Sequence, residues 1–145
     1  MKARRGRQEV IRDLIRSGDI RTQSSLVQAL SDQGFSVTQA TVSRDVSDLQ
    51  LKKLPGGVYI LREDLHLMRM VSELVLEILQ VGNFVIIKSQ GGSAPVVAAA
   101  IDHAVIDGVY GSVSGDNTVL VVNDTNETAH KLRDKLDSYL HLTIR

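Results

Sequence analysis

One stretch of small and polar residues carries the side chains best suited to contact another molecule. The segment Thr38–Leu49 reads Thr-Gln-Ala-Thr-Val-Ser-Arg-Asp-Val-Ser-Asp-Leu. At helical spacing Val42, Val46 and Leu49 form a narrow apolar stripe, and Arg44 faces away from that stripe. The small residues near Arg44 leave room for close approach to a surface. An exposed guanidinium can then bond a guanine edge or a phosphate, so this stretch has the features of a helix that reads DNA.

Two further helices are predicted before this stretch. Apolar residues at positions 10, 11, 14 and 15 repeat at helical spacing, and Gly18 provides a stop. Thr22 can cap a second helix, which directs Leu26 and Leu30 inward. Thr38 can cap the third. Three helices at this spacing, the last with an exposed polar face, indicate a helix-turn-helix unit.

Basic residues flank these helices on both sides. Residues 2–7 are predicted to form a basic arm that touches phosphates or is simply solvated. After the third helix, a Pro-Gly-Gly turn at 55–57 and strand-forming residues at 58–61 predict a two-stranded wing. Lys52 and Lys53 precede that turn, where they could meet a DNA backbone. A solvated helix end favoured by the helix dipole explains them equally well.

Composition divides the chain in two. Residues 1–62 hold 11 Lys and Arg against 6 Asp and Glu (+5), and residues 63–145 hold 6 against 11 (−5). A basic N-terminal half suits a polyanion, although uneven surfaces are common. There is no cysteine, and hence no disulfide, thiolate or zinc–sulfur chemistry. The basic start is not followed by an apolar signal-peptide core and no apolar run would span a membrane, so we expect a cytoplasmic protein.

The second half is predicted to form an antiparallel α/β sandwich with its helices on one face. A strand ends near Gln80 after a helical linker, and the apolar run Phe84–Ile87 indicates a buried central strand. Next comes a helix at Ala94–His103. Two strands follow it, Val109–Ser114 and Thr118–Asn123, and residue 125 or 126 caps a last helix. This half has no nucleophile–base pair, phosphate-binding loop or metal spacing, and its histidines are scattered, which argues against an enzyme.

The Thr38–Leu49 string, the winged layout and the C-terminal motifs resemble the bacterial arginine repressor family, over nearly the whole chain. In that family the matching helix enters the DNA major groove, and the resemblance marks Gln39, Ser43 and Arg44 as DNA contacts. Capping and solvation are the alternative roles for Gln39 and Ser43. With Thr41 and the two lysines, the candidate DNA-binding residues are Gln39, Thr41, Ser43, Arg44, Lys52 and Lys53.

The resemblance also implies a site for L-arginine at a subunit interface. Family motifs match the Gly-Ser-Ala loop at 92–94, Asp102 and the Gly-Asp turn at 115–116. From the residues alone, the turn is equally well explained as an ordinary hairpin and Asp102 as a solvated carboxylate. The chain departs from the family where Asn117 replaces an aspartate and Pro95 replaces a glutamine. The candidate arginine-binding residues are Ser93, Ala94, Asp102, Asp116 and Asn117.

The sequence thus predicts an α+β protein, an arginine-dependent DNA-binding regulator of arginine biosynthesis or catabolism genes. The expected parts are a winged helix-turn-helix domain at 1–62, a linker at 63–70 and an oligomerisation and arginine-binding domain at 71–145. By resemblance the chains assemble as trimers and hexamers on operator DNA, without a metal or cofactor. The alternatives are a paralogue that does not sense arginine, a regulator of the leucine-responsive type, and a small-molecule enzyme with a DNA-binding head.

Overall fold

A computed structural model describes the backbone of residues 2–142 and the side chains from residue 4 onward. The chain divides into two compact units after Leu65. The division falls inside a helix that runs from Arg62 to Leu74, so the segment 63–70, predicted as a linker, is helical. Residues 143–145 of the predicted C-terminal domain lie outside the described residues. Within residues 2–142, no helix is both long and apolar enough to cross a membrane.

The first unit contains three helices and a two-stranded ribbon. Its elements are α1 (Lys2–Arg16), α2 (Gln23–Asp32), α3 (Gln39–Asp48), β1 (Lys52–Lys53) and β2 (Tyr59–Ile60), and α4 (Arg62–Leu74) begins after them. The apolar sides of the three helices pack together in one core. That core includes Ile11, Leu26, Leu30 and Val42, all fully buried. The amphipathic spacing predicted from the sequence is therefore the spacing that builds this core.

Local hydrogen bonds set the ends of these helices. The Thr22 hydroxyl accepts the Ser25 backbone N–H at 3.0 Å, and the Thr38 hydroxyl accepts the Thr41 backbone N–H at 3.2 Å. Both threonines have extended backbones, as an N-cap requires. Gly18 has a φ of +91°, and its N–H donates to the Ile15 carbonyl at the end of α1. The predicted caps are confirmed.

Residues 2–7, predicted to form a free basic arm, are instead the first turns of α1, which begins at Lys2. Arg4 pairs with Asp48 and Arg7 pairs with Asp45, so two carboxylates of α3 hold the start of α1 in place. A helical pattern could not show this, since the partners are about 40 residues away. The Lys2 side chain lies outside the described residues.

The second unit contains a four-stranded sheet and two helices. Its elements after α4 are β3 (Val75–Val81), β4 (Phe84–Ser89), α5 (Ala94–Ala104), β5 (Val109–Ser114), β6 (Thr118–Asn123) and α6 (Asn126–Leu140). The strands are ordered β3-β4-β6-β5 and every pair is antiparallel. Thr125 caps α6 through a reciprocal pair of bonds with Thr128. This is the predicted arrangement, with β5 and β6 at the predicted bounds.

Helices α5 and α6 cover one face of this sheet. Val85 and Ile87 of β4, and Val119 and Val121 of β6, are fully buried on that face. The prediction that β4 is central is confirmed, but the prediction that the whole run Phe84–Ile87 is buried is wrong. Its alternate residues point to the other face, where Phe84 remains 38% exposed. The single chain therefore keeps an open apolar face.

Candidate functional site

Helix α3 presents a polar surface because its apolar side is committed to the core. Val42 is fully buried, whereas Gln39, Ser43 and Arg44 are exposed. Thr41 is half-buried, and its hydroxyl lies 3.1 Å from the Thr38 hydroxyl at the cap. Successive residues of a helix are about 100° apart, so burying Val42 turns Arg44 outward. The structure thus puts four of the predicted DNA-binding residues on one short helix.

A carboxylate lies within the buried side of the same helix. Asp45 is 1% exposed and receives hydrogen bonds from Arg7 Nε (2.6 Å), Arg7 Nη2 (3.1 Å) and Gln8 Nε2 (3.3 Å). Burial raises the pKa of Asp45, but the bonds from Arg7 and Gln8 and the charges of Arg7 and Arg4 outweigh it. The pKa therefore lies below its usual value, and Asp45 is ionised at neutral pH. The same hydrogen bond raises the pKa of Arg7.

An open cleft separates the start of α1 from α3. It is lined by three arginines, two aspartates and a threonine: Arg4, Arg7, Thr41, Arg44, Asp45 and Asp48. Two of the guanidinium groups are occupied, since Arg7 pairs with Asp45 and Arg4 with Asp48. Among the described residues, nothing forms a hydrogen bond or ion pair with the Arg44 side chain. Arg44 is therefore the cationic group of this cleft with all its donors available to a ligand.

The wing is built as predicted. Lys52 pairs with Ile60 and Lys53 with Tyr59 in an antiparallel ribbon. Both lysines are exposed, and Lys53 Nζ lies 4.9 Å from the centre of the Tyr59 ring, a cation–π distance. The two candidate lysines thus occupy one strand of the wing, and Lys53 lies over the Tyr59 ring.

A residue outside the candidate set also holds the wing. Arg21 Nη1 donates to the Gly56 carbonyl in the turn at 2.7 Å, and the Tyr59 N–H donates to the Ile20 carbonyl at 2.9 Å. Sequence reasoning missed Arg21, because a bond from a side chain to a distant backbone carbonyl leaves no trace in local spacing.

In the second unit, four of the five predicted arginine-binding residues lie together. The Ala94 N–H donates to the Asp116 carbonyl at 3.2 Å, and Ser93 immediately precedes Ala94. The Ser89 N–H donates to the Asn117 carbonyl at 2.9 Å, while the Asn117 side chain accepts from the Thr118 hydroxyl at 3.1 Å. These bonds tie the loop before α5 to the turn between β5 and β6.

The fifth residue lies elsewhere. Asp102 is near the other end of α5, eight residues after Ala94, which corresponds to about 12 Å of helix. Its Oδ1 accepts from the Ser112 hydroxyl of β5 at 3.1 Å. One chain therefore does not bring Asp102 together with the loop and the turn. Across residues 2–142, no group of three or more His, Asp or Glu side chains is arranged to hold a metal ion.

Comparison with known proteins identifies the family. A model described as arginine repressor, DNA binding domain matches residues 2–67, and one described as arginine repressor, C-terminal domain matches residues 71–138. An arginine repressor of Symbiobacterium thermophilum is 44% identical, over 92% of this chain and 97% of that protein. The chain belongs to the arginine repressor family.

Further arginine repressors give the same result. One from Clostridium botulinum strain Loch Maree is 38% identical over 90% of this chain and 94% of its own length. One from Pelotomaculum thermopropionicum is 42% identical over 84% and 87%. The family consists of DNA-binding transcriptional regulators, so this arginine repressor family member is a regulator and not an enzyme. The resemblance stated from the sequence is confirmed.

The pairing of Arg7 with Asp45 is a second feature of this repressor-family fold that sequence reasoning missed. A signal was present. Asp45 lies three residues after Val42, within the apolar stripe of α3, and Arg7 lies four residues before Ile11, on the apolar side of α1. A carboxylate and a guanidinium that both occupy core positions of neighbouring helices are rarely buried unless they pair.

Proposed function

We propose that this protein represses genes of arginine biosynthesis, or controls those of catabolism, by binding operator DNA through α3 and the wing. The observation that carries the proposal is the free guanidinium of Arg44, presented on a capped helix beside Gln39, Thr41 and Ser43. Arginine is the side chain that most often reads guanine in the major groove. Lys52 and Lys53, exposed on the wing, supply charge for the phosphate backbone.

The effector in this proposal is L-arginine, bound by the second unit. Ser93, Ala94, Asp116 and Asn117 lie together, and the exposed Asp116 carboxylate can accept paired hydrogen bonds from a guanidinium. Asp102 is separate within one chain, which supports a site completed by a neighbouring subunit. Arginine binding at such a site would favour the assembled, DNA-competent arrangement by linkage.

The test begins with DNA selected by the protein itself. A library of random-sequence duplexes is enriched for those that bind the purified protein, with and without roughly millimolar L-arginine. The recovered duplex is then titrated with the protein by fluorescence anisotropy. We expect a defined sequence to be enriched, with affinity raised about fivefold or more by L-arginine, the size of a typical allosteric coupling. Equal affinity for the selected duplex and a shuffled duplex would refute sequence-specific binding.

Asn117 tests the ligand. The turn carries one carboxylate at Asp116, and an added carboxylate at 117 supplies one more charge-assisted bond to a cationic ligand. Asn117→Asp should therefore tighten L-arginine binding roughly tenfold in calorimetry. Asn126→Asp, which adds the same carboxylate at an exposed residue outside the turn, serves as the control. If arginine binds neither the native protein nor Asn117→Asp, the proposed effector is wrong, and a paralogue that does not sense arginine becomes the better description.

A further inference from the structure

We propose that Arg7 and Asp45 are positioning residues for DNA reading, which set the rotation of α3 and thereby aim Arg44. The proposal rests on the DNA-binding function above and assigns a role to two residues that are outside the candidate interface. In this view α1 is part of the reading unit, although the DNA-contacting surface lies on α3.

The geometry of the pair makes it a rotational constraint. Arg7 bonds both oxygens of Asp45, through Nε and Nη2, and Gln8 adds a third bond to Oδ1. Apolar contacts such as those of Val42 are non-directional and allow a helix to roll or slide slightly. A guanidinium–carboxylate fork fixes both distance and orientation. The Asp45 side chain is 1% exposed, so little water reaches it to relax that geometry.

The constraint acts directly on the reading residue. Asp45 follows Arg44 in the chain, so any rotation of α3 that moves the carboxylate also moves the guanidinium. Base readout needs donors placed to within a fraction of an ångström, whereas attraction to phosphates tolerates such shifts. Loss of the pair should therefore lower the affinity for the correct sequence and leave the affinity for other DNA nearly unchanged.

Asp45→Asn separates positioning from simple charge. The substitution removes a negative charge beside the DNA-binding surface, so electrostatics alone would strengthen binding to every duplex. Positioning predicts the opposite effect on the selected duplex. Arg7→Lys complements it, since lysine keeps the charge but cannot form the fork. Arg5→Lys, at an exposed arginine two residues earlier in α1, is the matched control.

The measurement is anisotropy titration of the full-length protein against the duplex that it selected and a shuffled duplex, over a range of salt. We expect Asp45→Asn and Arg7→Lys each to weaken binding to the selected duplex roughly tenfold. Binding to the shuffled duplex should change by less than about twofold in either direction. The double variant should be no weaker than either single one, because both changes break the same interaction. Arg5→Lys should match the native protein.

Circular dichroism at the titration temperature verifies that each variant is folded. If Asp45→Asn unfolds, the test is made with Arg7→Lys, which is the milder change. The proposal is overturned if the folded variants bind the selected duplex as tightly as the native protein. It is also overturned if Arg7→Gln weakens both duplexes equally while Arg7→Lys restores them, since Arg7 would then be a direct phosphate contact. Failure of the native protein to select any sequence would instead refute the proposed function.

Discussion

At the scale of single side chains, two adjacent residues of α3 differ in exposure and in hydrogen bonding. Arg44 is exposed with free donors, and Asp45 is buried and fully engaged with Arg7 and Gln8. The helical turn of about 100° between neighbours produces this contrast. A buried carboxylate without a partner would be costly, so the ion pair allows α3 to keep a charged residue within its apolar side. The exposed arginine is then free for a ligand.

Removing the Arg44 guanidinium should weaken DNA binding and reduce sequence preference. For Arg44→Ala we expect a loss of about 1–3 kcal/mol on the selected duplex if the side chain reads a base. Anisotropy titration against selected and shuffled duplexes measures it. Arg133→Ala, which removes the same charge from α6, is the control. Unchanged affinity of Arg44→Ala for the selected duplex would remove Arg44 from the interface.

Asp45 should also make folding stability depend on pH in the acid range. Its pKa in the folded protein lies below the ordinary value of 3.8, so its contribution is fully present above that value. The contribution is lost as the pH falls through the folded pKa, where protonation breaks the pair with Arg7. We expect Asp45→Asn to be less stable than the native protein at pH 6, with the difference shrinking below pH 3.8. Urea denaturation at each pH measures this, and a constant difference would contradict it.

At the scale of elements, local chemistry predicted more than long-range contacts did. The bounds of β5 and β6 were predictable because alternating apolar residues end at a Gly-Asp-Asn turn, and the caps at Thr22 and Thr38 because capping is local. The helical start of α1 was not predictable, since the ion-pair partners of its arginines, Asp45 and Asp48, lie on another helix. The grouping of the loop at 93–94 with the turn at 116–117 came only from the family resemblance.

The turn between α5 and β5 is an element whose geometry depends on one glycine. Gly108 has a φ of +82°, and a Cβ there would lie 2.6 Å from Thr128 Cβ at the start of α6. Gly108→Ala should therefore destabilise the second unit by about 2 kcal/mol or more, because strain and overlap add. Gly115→Ala, where a Cβ would meet nothing within 4 Å, should change stability little. Thermal unfolding of both variants measures this, and equal melting temperatures would contradict it.

At the scale of the whole molecule, the first unit has features that suit DNA binding and the second has a surface that suits assembly. The first unit carries the basic excess and the free Arg44, as a polyanion partner requires. Among the described residues of the second unit, no helix covers the other face of the sheet. Paired residues Leu79, Ile86, Leu120 and Val113 cross that face from edge to edge, and Val113 is 65% exposed. An apolar face of this kind supports the proposed assembly of several chains.

Val113→Glu tests that assembly. Because Val113 is largely exposed in the single chain, a charge there should cost the isolated fold little, but an unpaired carboxylate in an apolar interface costs several kcal/mol. We expect light scattering to give the mass of a trimer or hexamer for the native protein and a smaller mass for Val113→Glu, with unchanged circular dichroism. Ser138→Glu, which adds the same charge on the exposed side of α6, should keep the native mass. A native mass for Val113→Glu would show that this sheet face is not the surface through which the chains assemble.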